Sequence, residues 1–141
     1  MPMPRTNNCP VDTCAAIWTT SAGSLSDEAE AVLSKAMAQS APVLVSPITA
    51  WEVGQLVAKA RLVLSEDPKS WFAGLLESGV SLAELTPEIL IDASFLPSCT
   101  LRDPADRILA ATARVLGCRL MTRDGPILQY GGAGWIKTLA C

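Results

Sequence analysis

Four carboxylates stand where short apolar runs give way to polar sequence: Asp12, Glu52, Asp106 and Asp124. The chain of 141 residues contains no histidine. That excludes serine–histidine and cysteine–histidine nucleophile pairs, an imidazole general base and histidine-ligated zinc. Any catalysis falls to carboxylates, thiols, hydroxyls, amines or a bound metal. Four carboxylates converging on one point repel each other and raise each other's pKa. A divalent cation relieves that repulsion, and an oxygen-only donor set suits Mg2+ or Mn2+ rather than zinc. Such an ion lowers the pKa of a bound water and clamps a phosphate, so phosphodiester hydrolysis needs no imidazole.

Each acid also has a structural reading. Glu52 follows Thr49 by three residues, as in a capping box, with Ile48 and Val53 placed as the hydrophobic staple around it. Asp106, third in its helix, favours the helix dipole without a metal. Asp103, directly before Pro104, reads as an N-cap, and Asp124-Gly125 reads as a turn. Asp12 is harder to explain structurally, because an acid ending an apolar strand is costly without a partner.

The elements that must position these acids follow from pattern. The length predicts one domain. Residues 1–8 read as a disordered lead-in and 9–141 as the domain. Residues 9–12 form a short strand ending in the first acid, although Pro10 cannot donate to a ladder. A helix begins at Thr13. Ser26 caps a second over 27–39, whose first turn holds Asp27, Glu28 and Glu30. Residues 42–46 (PVLVS) are apolar without alternation, as in a buried parallel strand. The spacing predicts a helix over 48–62, another from Pro68 capped by Asp67, a strand over 80–85 and a short helix from Thr86-Pro87. A helix from Pro104 ends at Leu116 before Gly117. Residues 119–122 form a strand. Gly131, Gly132 and Gly134 form a loop before a last strand over 135–139. Helices alternating with short apolar strands predict an α/β fold with a mostly parallel sheet of four or five strands. In such sheets ligands collect at the carboxyl ends of the strands, where all four acids fall.

Composition narrows the partners. Charged residues make up 18% and the net charge is −3, unlike a generic DNA-coating protein. Yet five of the seven arginines lie between Arg102 and Arg123. Arg102, Arg107, Arg114 and Arg123 are candidate phosphate contacts at the rim of an acidic pocket, or equally solvated surface and salt-bridge partners. The five cysteines are odd in number and lack a C-x-x-C pair, so zinc and a disulfide framework are disfavoured and a reducing cytoplasm is expected. Cys14, without a histidine base, reads as a packing residue. The four tryptophans, Trp18, Trp51, Trp71 and Trp135, read as core or interface, with base stacking the alternative. No apolar run reaches the ~18 residues of a bilayer span.

Four segments together carry a family likeness: VDTCAAIW at 11–18, VSPITAWEVG at 45–54, RDPADRILAATARVLG at 102–117 and LMTRDGPIL at 120–128. In this order and spacing the chain resembles the PIN-domain ribonucleases, and among them the VapC-type toxins of bacterial toxin–antitoxin pairs. AKARLVLSEDPKSWF at 58–72 and LTPEILIDASFLP at 85–97 extend the likeness. The resemblance implies a three-layer α/β/α fold and an acidic pocket for Mg2+ or Mn2+. It implies Asp12, Glu52, Asp106 and Asp124 as catalytic acids, with Asp12 and Asp106 the main metal ligands, Asp124 a further one and Glu52 completing the pocket. Asp103 would cap its helix or support the ligands from behind, and the Thr122 hydroxyl would orient a carboxylate or a water.

The implied reaction is hydrolysis of RNA by an activated water attacking in line, leaving a 5′-phosphate and a 3′-hydroxyl. The implied partner is a VapB-type antitoxin that blocks the pocket, and a homodimer is expected. The strand before Asp12 departs from the family's aliphatic run, which leaves a second reading open: an inactive PIN domain that binds antitoxin or RNA. A phosphoaspartate receiver would want paired acids at the first strand, where Asp12 stands alone.

Overall fold

The structure is a computed structural model and describes residues 9–11, 31 and 43–140. The expected lead-in, the helices expected from Thr13 and over 27–39, and Asp12, Cys14 and Trp18 lie outside the described residues, apart from Ala31, which is helical. Five strands are described: β1 (Cys9–Val11), β2 (Val43–Val45), β3 (Val80–Leu82), β4 (Arg119–Thr122) and β5 (Lys137–Ala140). Five helices accompany them: α1 (Pro47–Ala58), α2 (Pro68–Glu77), α3 (Pro87–Asp92), α4 (Pro104–Leu116) and α5 (Gly125–Gly132).

All strands run parallel in one sheet of order β3-β2-β1-β4-β5. The five-stranded parallel α/β architecture is therefore as the sequence predicts. β1 is its central strand despite Pro10. It pairs with β2 over all three residues (Cys9 with Val43, Pro10 with Leu44, Val11 with Val45) and with β4 through Val11 and Met121. Proline forfeits one donor, toward one neighbour only, so two flanking strands still hold this strand.

Two apolar layers sandwich the sheet. On one face Val43, Val45, Val80, Met121 and Leu139 meet Val53 of α1 and Trp71 and Leu75 of α2. On the other, Leu120 meets Ile89 of α3, Leu109 and Ala110 of α4, and Ile127 and Tyr130 of α5. The strand period of two explains the division within β4: Leu120 and Met121 point to opposite faces. Thr122 falls on the α4 side with Leu120. In the second layer α4 contributes the small residues Ala110, Ala111 and Ala113, which let it approach β1 and β4 closely.

One capping device recurs. Ser46, Asp67, Thr86 and Asp103 each N-cap a helix whose next residue is proline, pre-set at helical φ and lacking a donor the first turn would waste. Gly117 closes α4 in the left-handed conformation, φ 66°, which only glycine enters cheaply. Four expectations are corrected. The cap of α1 is Ser46, not Thr49: the Ser46 hydroxyl accepts from the Ile48 N–H at 3.2 Å and its carbonyl from the Thr49 N–H at 2.9 Å. The helix starts at Pro47 and ends at Ala58, so Glu52 sits in its second turn and makes no capping box. Asp124-Gly125 is not a free turn but the N-cap and first residue of α5, and Gly131 and Gly132 belong to that helix rather than to a loop. Proline one residue into the helix, at Pro126, was the signal for it. No helix among the described residues is long and apolar enough to cross a membrane.

Candidate functional site

Strand order decides where a site can form. From β1 the chain proceeds to β2 and β3 on one side, whereas β4 and β5 lie on the other. The order reverses between β1 and β4, and the crevice beyond their carboxyl ends is where an open parallel sheet binds ligands. Asp12 follows β1 directly and lies outside the described residues. Thr122 ends β4, and Asp124 comes two residues later.

Three helices start at this edge of the sheet. α1 follows β2, α4 runs back toward the start of β4, and α5 follows β4. α1 packs against α4, and α4 packs on both β1 and β4. Their N-termini carry partial positive charge and orphan N–H groups, which favour carboxylates and phosphate there. Glu52 on α1 and Asp106 in the first turn of α4 are half-buried. The Glu52 Oε1 is shielded from solvent.

Thr122 and Asp124 form one local unit. The Thr122 hydroxyl is fully buried and accepts from the Asp124 N–H at 2.9 Å. Asp124 Oδ2 accepts from the Ile127 N–H at 3.0 Å, which fixes the carboxylate at the head of α5. Two more hydroxyls that the sequence does not single out for the site are fully buried, Ser46 and Thr49 at the start of α1. Asp103 is an exposed N-cap, its Oδ1 accepting from the Ala105 N–H at 2.9 Å.

These donors are all hard oxygens, the chemistry of a Mg2+ or Mn2+ site. Among the described residues no group of three or more aspartates, glutamates or cysteines lies close enough to hold a metal ion. The expected fourth acid, Asp12, comes from outside them. The donor types thus fit a hard cation.

The arginines divide. Arg102 and Arg123 are exposed, one before the cap of α4 and one between Thr122 and Asp124. Arg107, for which a phosphate contact and a structural role were both open, donates to the protein's own backbone. Its Nε donates to the Ala93 carbonyl at 2.8 Å, one terminal nitrogen to the Leu101 carbonyl at 2.8 Å and the Cys99 sulfur at 3.4 Å, and the other to the Ser94 carbonyl at 3.3 Å. It clasps the loop joining α3 to α4, in which Ser98 adopts a left-handed φ of 47°. Tyr130 holds the same loop, its hydroxyl donating to the Pro97 carbonyl at 2.6 Å, and burial pushes its phenol pKa up. Arg114 reaches the Trp135 carbonyl at the far end of α4. Position on a helix face did not reveal this, because the acceptors of Arg107 lie 6 to 14 residues away in sequence. Of the described tryptophans, Trp71 is buried at 7% exposure, whereas Trp51 stands out at 58%.

Comparison with known proteins agrees with this architecture. The PIN domain family matches residues 10–132. The chain is 35% identical to Ribonuclease VapC22 of Mycobacterium tuberculosis over 91 residues, 64% of this chain and 69% of that protein. Its fold is similar to the crystal structure of VapBC2 from Rickettsia felis bound to a promoter DNA fragment, with TM-score 0.64 and 12% identity over 94% of this chain and 97% of that one. It is also similar to DNA-bound VapBC from Salmonella typhimurium, with TM-score 0.61 and 16% identity over 94% and 97% of the two chains. The described segments that carried the resemblance, 45–54, 102–117 and 120–128, lie at the carboxyl edge of the sheet or in the helix that starts there, and the chain belongs to the PIN domain family, as a member of VapC type.

Proposed function

We infer that this protein is a metal-dependent endoribonuclease toxin neutralised by a VapB-type antitoxin. The observation that carries the reading is the arrangement around the switch point: in a PIN-family chain, Glu52 on α1, Asp106 on α4 and Asp124 at the cap of α5 belong to helices that start at the carboxyl edge of the sheet, and Asp12 directly follows β1 in sequence. Asp12 and Asp106 hold the metal, Asp124 joins them, and Glu52 completes the pocket. Bound Mg2+ or Mn2+ supplies a Lewis acid for the phosphate and a more acidic water at neutral pH. The chain's own residues do the positioning. Thr122 and the Ile127 N–H hold Asp124 in place. The N-termini of α1, α4 and α5 favour the phosphate's charge, and Arg102 and Arg123 offset the repulsion between RNA and an acidic pocket. Hydrolysis leaves a 5′-phosphate and a 3′-hydroxyl.

The relatives named VapBC support the antitoxin as partner, whose binding covers the acidic edge. The test is cleavage of single-stranded RNA by the purified chain with Mg2+ or Mn2+, with EDTA, and in folded Asp12→Asn and Asp106→Asn variants. Loss with EDTA and in both variants is expected. Equal cleavage in the folded variants defeats the four-acid site. Absent cleavage with retained antitoxin binding makes the protein a binding module.

A further inference from the structure

We propose that Ser46 is a positioning residue, its buried hydroxyl donating to the carboxylate that follows β1 and holding it for the metal; this rests on the four-acid reading above. Ser46 differs from the other described helix caps. It is fully buried, whereas Asp67 and Asp103 are exposed and Thr86 and Asp124 half-buried. Capping requires one lone pair, which accepts from the Ile48 N–H at 3.2 Å. A serine hydroxyl also carries a proton to donate. Among the described residues that proton has no acceptor, and a buried donor left unspent is costly.

The sheet points to the acceptor. Val11 on β1 pairs with Val45 on β2 and with Met121 on β4. Ser46 and Thr122 are the next residues along those flanking strands, and Ser46 keeps an extended backbone, φ −76° and ψ 142°. Continued by one residue, the register puts the position after Val11 between them, with neighbouring strands about 4.8 Å apart. Asp12, outside the described residues, holds that position in the sequence. Side-chain alternation sets the face. Val45 and Met121 belong to the layer under α1 and α2, so 46 and 122 turn to the opposite face, where α4 packs on β1 and β4 and carries Asp106 in its first turn. Thr122 likewise accepts from a backbone N–H, that of Asp124, and among the described residues its proton is also unspent. Two buried hydroxyls thus flank the position of one acid, and an O–H donated to a carboxylate makes a stronger bond than one between neutral groups.

Two measurements on the full chain test this: Mn2+ binding read by electron paramagnetic resonance, and denaturant unfolding in EDTA. Glycine caps a helix almost as well as serine but offers no hydroxyl. Ser46→Gly is expected to weaken Mn2+ binding roughly 10- to 100-fold, and Ser46→Thr, which keeps the donor, recovers most of the loss. In EDTA, Ser46→Gly combined with Asp12→Ala changes the unfolding constant by a factor that departs about 2-fold or more from the product of the single effects. The same cycle with Glu52→Ala in place of Asp12→Ala multiplies simply. Unchanged Mn2+ affinity in Ser46→Gly overturns the proposal, as do effects of Ser46→Gly and Asp12→Ala that simply multiply. Coupling to Glu52 alone overturns it too, because the proton then has a different acceptor. If the wild-type chain binds no Mn2+, the four-acid reading fails, and the cycle in EDTA still decides whether Ser46 holds Asp12.

Discussion

The buried hydroxyl of Thr122 accepts a hydrogen bond from the backbone N–H of Asp124 at 2.9 Å, two residues further along the chain. This contact turns the chain sharply off the end of β4 and sets Asp124 at the head of α5, so a strand, a cap and a candidate metal ligand are aligned by one side chain. Replacing Thr122 by valine keeps the volume and removes the acceptor. RNA cleavage is expected to fall about 10- to 100-fold, the range for partners that orient a ligand, with the circular dichroism spectrum unchanged. Thr122→Ser keeps the acceptor and most of the activity. Equal losses in both variants would assign the effect to packing instead.

Ser46 is the true cap of α1, buried at the end of β2. Ser46→Ala leaves the Ile48 N–H without its acceptor and is expected to cost about 1 kcal/mol in denaturant titrations. Because α1 carries Glu52, activity should decline more than stability does.

Arg107 and Arg123 should behave oppositely. Arg107→Met removes donors from three loop carbonyls and lowers stability by on the order of 3 kcal/mol. It leaves the salt dependence of RNA binding in the remaining folded protein unchanged. Arg123→Met reduces the salt slope by about 1. Anisotropy titrations across a range of salt concentrations, paired with thermal melts, separate the two roles.

Burial pushes the Cys118 thiol up to about 11 from 9.0, so it stays protonated and unreactive in the native protein. Peptide mapping after iodoacetamide treatment at mildly alkaline pH should find Cys99 modified well before Cys118, which reacts only on unfolding. The folded pKa is the higher one, so the native state holds this proton longer than the unfolded chain does. Stability is therefore unaffected by this group below pH 9 and falls between pH 9 and about 11. Cys118→Ala should flatten that decline, and a decline that persists unchanged would point to other groups.

Much of this was legible in residue order because it is local. A cap followed by proline, as at Thr86-Pro87 and Asp103-Pro104, starts a helix through contacts within four residues, and Gly117 stops one through its own backbone freedom. Short apolar runs between helices fix a parallel α/β sheet, because only burial on both faces suits them. The absence of histidine excludes imidazole chemistry outright, and the types and order of the acids make a hard-cation site the leading expectation.

The tertiary structure decided what depends on distant partners. The order β3-β2-β1-β4-β5 put the reversal beside the end of β1, and nothing local to Val11 or Thr122 specifies that neighbour. Arg107 looked like a surface cation until its acceptors, brought round by the α3–α4 loop, claimed four of its donors. Trp51 and Trp71 have the same side chain, yet packing against the sheet buried one and left the other in solvent. Burial and pairing are properties of the whole assembled surface, so residue type alone does not assign them.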